Sequence, residues 1–246
     1  MSASGTSGEA RATFSLAGFW RGMKASGPLA VSVFAYGIAF GLFAKSVQMS
    51  MAEAMLMSAL VYSGSAQMAA VSAMGNGTIP SGAAAFAVVT TIVLLNARYL
   101  LYGASLRGWL GQVSGLQAYA TLAVIGDGNW ALSMKRHAEG ERDAGFVLGS
   151  GIVMFIPWLF GTALGLLTAG AATNPRALGL DFMLVAFSTA LAAGMFNGRT
   201  QMPVLLVAIA ASVIADRWLP PGWAVMSAGL AGGLTAWLRF KPEEGA

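Results

Sequence analysis

An all-α, polytopic transmembrane helix bundle of about seven to eight spans is the fold that this chain predicts, and three observations predict it. Of its 246 residues 57% are hydrophobic and only 10% are Asp, Glu, Lys or Arg, against roughly a quarter charged in soluble domains. The mean hydropathy is +0.68. From Ala54 to Ala97 the chain runs 44 residues without a charge, about 66 Å of helix against a hydrocarbon core of ~30 Å, so the run holds two spans and a turn. A soluble domain of this length needs more polar surface than 14 basic and 10 acidic residues supply.

Charges and turn signals cut the sequence into eight apolar segments. Residues 25–44 follow Arg11, Arg21 and Lys24; they are longer than a signal-peptide core and further spans follow, so they read as the first transmembrane helix. Residues 1–24 are then a mostly disordered cytoplasmic tail. Residues 50–74 end at Gly75-Asn76-Gly77-Thr78-Ile79-Pro80, a dense turn signal. Residues 81–106 form a third span and 112–133 a fourth, interrupted by Gly126-Asp127-Gly128-Asn129. The one strongly hydrophilic loop, Lys135 to Asp143, comes next. Segments 144–170, 180–198, 201–215 and 222–238 complete the set; 201–215 is short enough to be a half-span or a hairpin arm. Residues 25–240 thus read as a single transmembrane domain and 241–246 as a C-terminal tail.

With the N-terminus inside and all eight segments crossing, nine Lys or Arg between Arg11 and Lys241 fall on the inner side and four, Lys45, Arg107, Arg176 and Arg217, on the outer. That bias matches the positive-inside rule for an inner-membrane protein with cytoplasmic termini. The net charge of +4, spread over loops, suits phospholipid headgroups better than nucleic acid. There is no cysteine, which excludes disulfides and thiolate metal sites. The single histidine, His137, lies in the charged loop without convergent partners and reads as a solvated residue, so no metal site is expected. No nucleophile–base set and no phosphate-cradling Gly-Lys-Ser/Thr is present, so neither an enzyme nor a cofactor is expected.

Sliding the chain on itself by 124 residues lays Gly37-Ile38-Ala39-Phe40-Gly41-Leu42 on Gly161-Thr162-Ala163-Leu164-Gly165-Leu166. This is a candidate parallel repeat of helix pairs, and its glycines at four-residue spacing let helix backbones approach closely. Four stretches carry polar chemistry. In Tyr62-Ser63-Gly64-Ser65-Ala66-Gln67 small polar residues interrupt an apolar helix, and a helix broken inside a membrane exposes backbone amides to a ligand. Ser63 and Gln67 share a face there. In Asn96-Ala97-Arg98-Tyr99 the arginine is an intramembrane charge, open to three readings: anchoring a substrate carboxylate, pairing within the bundle, or snorkelling to the interface. In a continuous helix Asn96 and Tyr99 share one face while Arg98 and Tyr102 share a nearly opposite one, so all four cannot serve one cavity. Asp127, between two glycines, is a candidate coupling or structural charge and a candidate partner for Arg98. Asp181, in Gly179-Leu180-Asp181-Phe182, reads as a helix N-cap.

Taken in order, Arg21-Gly22, Phe40-Gly41, Glu53-Ala54, Ser63-Gly64-Ser65-Ala66-Gln67, Leu94 to Gly103 and Gly179 to Phe182 resemble the AzlC-like branched-chain amino-acid permeases, the large subunit of the LIV exporters, from about Phe19 to Leu184. The family usually has His where this chain has Tyr99, and Thr-Asp-Glu where it has Gly126-Asp127-Gly128. The resemblance implies a cytoplasmic-membrane exporter of valine, leucine, isoleucine or similar apolar amino acids, working with a small AzlD-like membrane subunit. Tyr62, Ser63, Gly64, Gln67, Asn96, Arg98 and Tyr99 are its candidate substrate-binding residues. Among them Gln67 is the preferred ligand contact and Arg98 part of the frame.

Overall fold

The computed structural model describes residues 12–74, 82–169, 198–219 and 223–239, with Thr189, Ala193 and Phe196. In chain order the helices are α1 (Leu16–Ser46), α2 (Met51–Leu60), α3 (Gly64–Met74), α4 (Gly82–Asn96), α5 (Arg98–Ser105), α6 (Arg107–Leu110), α7 (Gly115–Ala123), α8 (Asp127–Ala138) and α9 (Gly145–Thr168). After a 3₁₀ turn, Arg199–Gln201, come α10 (Met202–Trp218) and α11 (Trp223–Arg239). Among the described residues no strand forms; a lone bridge joins Thr13 to Asp143. The expected turn at 75–80, Asp181 and most of segment 180–198 lie outside the described residues.

Among the described residues three helices are long and apolar enough to cross a bilayer: Leu16–Ser46, Gly145–Thr168 and Arg199–Trp218. Helix α1 begins at Leu16, so residues 16–24, expected in the N-terminal tail, are helical. The reason lies far along the chain. Ser15 caps α1 by accepting from the Gly18 amide at 3.0 Å, and Ser15 in turn donates its amide and hydroxyl to the Asp143 carboxylate. Arg21 adds a forked contact to Glu141 at 3.1 Å on each side. At 31 residues the helix is about 46 Å long, enough to span the core and carry its basic first turns into the interface.

Helices α1 and α9 form the seam of the molecule. Gly18 faces Asp143 and Gly22 faces Phe146, while Gly37 faces Trp158 and Gly161, and Gly41 faces Thr162 and Gly165. The matching order makes the two helices parallel. A Cβ on Gly37 would stand 2.7 Å from the Trp158 carbonyl oxygen, and one on Gly165 3.0 Å from the Gly41 Cα. The glycine pattern therefore sets backbone-to-backbone contact, the packing that drives helix association where lipid removes the hydrophobic drive. Around this seam cluster Phe40, Val71, Met154 and Trp158, all buried.

Segments 50–74, 81–106 and 112–133 each fold as shorter helices separated by a break rather than as one span. The first break falls at Val61–Ser63, the second at Ala97 and the third at Val124–Gly126. Helix α2 has a full capping box, with Ser50 and Glu53 reciprocally bonded, and α7 has the same device in Ser114 and Gln117. These caps start the two helices at the ends away from the breaks. What holds the breaks open is the site.

Candidate functional site

The three helix breaks converge on one open cavity, about 570 Å³ when the solvent at its mouth is included. The first break contributes Tyr62, Gly64 and Ser65, the second Arg98 and Tyr99, and the third Gly126, Asp127 and Gly128. The seam closes the back with Val33 and Tyr36 from α1 and Met154 and Trp158 from α9. One wall is thus polar and the other apolar and aromatic.

The first and third breaks have local causes. Tyr62 has φ of +41°, a left-handed conformation that a bulky residue adopts only when its surroundings compel it. Its carbonyl accepts the Tyr99 hydroxyl at 3.0 Å, and its ring stands edge-on to Phe155 at 4.9 Å and to Trp158 at 6.5 Å. Gly64 then starts α3 against the Tyr36 ring, where a Cβ has no room. At the third break Asn129, fully buried, accepts from the Gly126 amide at 2.6 Å and donates to the Val124 carbonyl at 3.3 Å. That side chain satisfies backbone groups which the broken helix leaves unpaired inside an apolar bundle.

Arg98 is the hub. Its Nη2 donates to Ser65 Oγ at 2.8 Å and to Ser63 Oγ at 3.4 Å, and its Nη1 pairs with Asp127 Oδ2 at 3.2 Å. The guanidinium also lies 5.7 Å from the Tyr99 ring centroid. Asp127 Oδ1 accepts the Tyr102 hydroxyl at 2.8 Å. The side chains of Arg98 and Asp127 are 26% and 25% exposed, so the pair is largely desolvated yet still reachable from the cavity. A charge pair of zero net charge beside an apolar wall is chemically suited to a zwitterion with an apolar side chain.

Of the residues singled out by sequence, Tyr62, Gly64, Arg98, Tyr99 and Asp127 line the cavity. Ser63 supports Arg98 from beneath. Two expectations are corrected. Arg98 and Tyr99 share the cavity, because adjacent positions on α5 lie only about 100° apart and the long arginine side chain brings its guanidinium beside the Tyr99 ring, while Tyr102 reaches Asp127 from the same helix. Gln67 is not a lining residue: it is fully buried, and its Nε2 donates to Ser58 Oγ at 3.1 Å. Ser58 lies 2.9 Å from Thr162 Oγ1, which donates to the Trp158 carbonyl at 3.0 Å. Gln67 therefore ties α3 through α2 to the seam. Asn96 does not line the cavity either, and its Oδ1 is buried.

Sequence reasoning passed over Trp158, Met154, Val33 and Tyr36, which form the apolar wall. The signal was the glycine repeat, since Tyr36 and Trp158 sit on the same two helices just before Gly37 and Gly161. Among the described residues no group of three or more His, Asp or Glu is placed to hold a metal.

The sequence profile described as AzlC protein matches residues 28–172, which include every residue lining the cavity. The chain is 26% identical over 201 residues to the inner membrane protein YgaZ of Escherichia coli, covering 78% of this chain and 79% of that protein. It is also 26% identical over 159 residues to an uncharacterized membrane protein of Archaeoglobus fulgidus, covering 64% of this chain and 66% of the other. No solved structure matches.

Proposed function

Because the chain belongs to the AzlC family, the branched-chain amino acid transport family, and is a transport-related membrane protein, we propose that it exports branched-chain or other apolar amino acids as a secondary transporter. The observation that carries this reading is the Arg98–Asp127 pair at 3.2 Å, set where three broken helices meet an apolar wall. Arg98 offers a guanidinium for the α-carboxylate and Asp127 a carboxylate for the α-ammonium. Val33, Met154 and Trp158 receive the side chain, methionine adapting to several apolar shapes. Substrate at helix breaks within a bundle is the arrangement of many secondary transporters.

The same reading places the chain in the inner membrane with eight crossings, a cytoplasmic N-terminus and a parallel repeat related by the α1–α9 seam. It is supported by the positive-inside bias and by the contact of Gly37 with Gly161 and Gly41 with Gly165, which are equivalent positions under the 124-residue shift. Equivalent residues touch each other where a two-fold axis passes. A small AzlD-like membrane subunit completes the assembly, and α10 and α11, apolar and exposed on Leu206, Val213, Leu230 and Leu234, are available to it as well as to lipid.

The test is counterflow of labelled leucine in proteoliposomes holding the chain co-expressed with a small AzlD-like membrane subunit, against a panel of amino acids. Saturable exchange that favours apolar amino acids and responds to collapse of the proton gradient is expected. Non-saturable flux indifferent to the gradient would make the protein a channel. Gln67→Leu serves as an internal check: it is expected to cost about 1 kcal/mol of stability through the lost bond to Ser58, measured by thermal unfolding in detergent. The half-saturating leucine concentration should stay unchanged, because Gln67 does not touch the cavity.

A further inference from the structure

We infer that the Arg98–Asp127 ion pair is a latch which the substrate's own two charges replace, so that only a ligand carrying both a carboxylate and an ammonium opens the site. This rests on the functional reading above and adds to it the class of ligand that can act and the way occupancy is felt by the helices.

Arg98 is the point at which the three breaks are tied together. It begins α5 after the second break, it bonds Ser63 and Ser65 at the first, and it pairs with Asp127 at the third. Both Asp127 oxygens are engaged, Oδ2 by Arg98 and Oδ1 by Tyr102. The guanidinium Nε, by contrast, is buried with no hydrogen-bond partner among the described residues, so the arginine keeps donor capacity that the resting contacts do not use.

A carboxylate that draws Arg98 away strands Asp127, and an ammonium that draws Asp127 away strands Arg98. In a largely desolvated site an unpaired charge costs more than the pair it came from returns. A zwitterion avoids both costs, because one internal pair becomes two pairs to the ligand and the net charge of the site remains zero. Once Arg98 has turned to the ligand, Asp127 stays anchored. Tyr102 stacks on Trp130 with ring centroids 4.4 Å apart and planes within 16°. The Trp130 indole donates to Ser105 Oγ at 2.8 Å, and Ser105 donates to the Tyr102 carbonyl at 2.9 Å. This frame spans α5 and α8, so breaking the latch alters the field on Trp130 through Tyr102.

The experiment uses the wild-type protein in membrane vesicles and three ligands of similar shape: leucine, isocaproate, which lacks the ammonium, and isoamylamine, which lacks the carboxylate. Competition against labelled leucine is read beside the Trp130 emission, taken as the difference between the wild type and Trp130→Phe. Each single-charge analogue is expected to compete about a hundredfold more weakly than leucine, since each leaves one desolvated charge unpaired, and only leucine should change the Trp130 signal. If leucine is carried but either analogue competes within a few-fold of it, the latch is overturned and the transporter reading stands. If leucine is neither carried nor bound, the reading itself falls and the latch with it.

Discussion

Arg98→Ala is expected to lower leucine efflux, normalised to protein in the membrane, by about two orders of magnitude. Removing one partner of a buried ion pair costs roughly 3–5 kcal/mol, and the quarter exposure of both side chains argues for the low end, about 3 kcal/mol, which is a hundredfold at about 1.4 kcal/mol per decade. The loss combines two effects. The ligand carboxylate loses its guanidinium, and Asp127 is left facing an apolar wall with only the Tyr102 hydroxyl. Arg98→Lys should fall between the two, because an ammonium keeps the charge but cannot fork between Ser65 and Asp127. Efflux at the wild-type rate from correctly folded Arg98→Ala protein would remove the arginine from the site.

Gly41→Leu is expected to be the most damaging substitution for stability, lowering it by about 3 kcal/mol or more, at the upper end of overpacking costs. A Cβ at Gly41 meets the Thr162 carbonyl oxygen, with the Leu166 amide 2.8 Å and the Gly165 Cα 3.0 Å away. All three are backbone atoms of α9 and cannot swing aside as a side chain would, so the helices must separate along the seam. Separation also widens the cavity, because Val33 and Tyr36 ride on α1 while Met154 and Trp158 ride on α9. The control is Gly233→Ala in α11, where a Cβ meets nothing within 4 Å; removing a mid-helix glycine there should stabilise by up to about 1 kcal/mol. Thermal unfolding of the detergent-solubilised proteins separates the two, and equal midpoints would mean that the seam is not close-packed.

Much of the site was legible in the chain as it is written. An arginine after 44 uncharged residues marks itself, and Ser63-Gly64-Ser65 announces a helix that cannot run straight. Asp127 between two glycines marks a third weak point. The pairing of these places was not legible, because it depends on how far each break turns the chain. The 100°-per-residue count separates Arg98 from Tyr99, yet the reach of the arginine side chain brings its guanidinium to 5.7 Å from the Tyr99 ring centroid, so both border the same cavity. Gln67 shows the converse. An amide within a polar motif looks like a ligand contact, but its direction is set by Ser58 and Thr162, which lie 9 and 104 residues along the bonded chain from Gln67 and Ser58 respectively.

The division between the two levels follows from the range of the forces involved. Solvent preference acts residue by residue and along a helix, so composition and glycine spacing alone determine a helical membrane protein, its AzlC-type motifs and the seam where helices can touch. An ion pair or a directed hydrogen bond acts over about 3 Å and joins residues that only folding brings together. Tertiary structure therefore decided that Arg98 meets Asp127, that Trp158 and Met154 form the wall opposite them, and that Ser15 extends the first helix through Asp143.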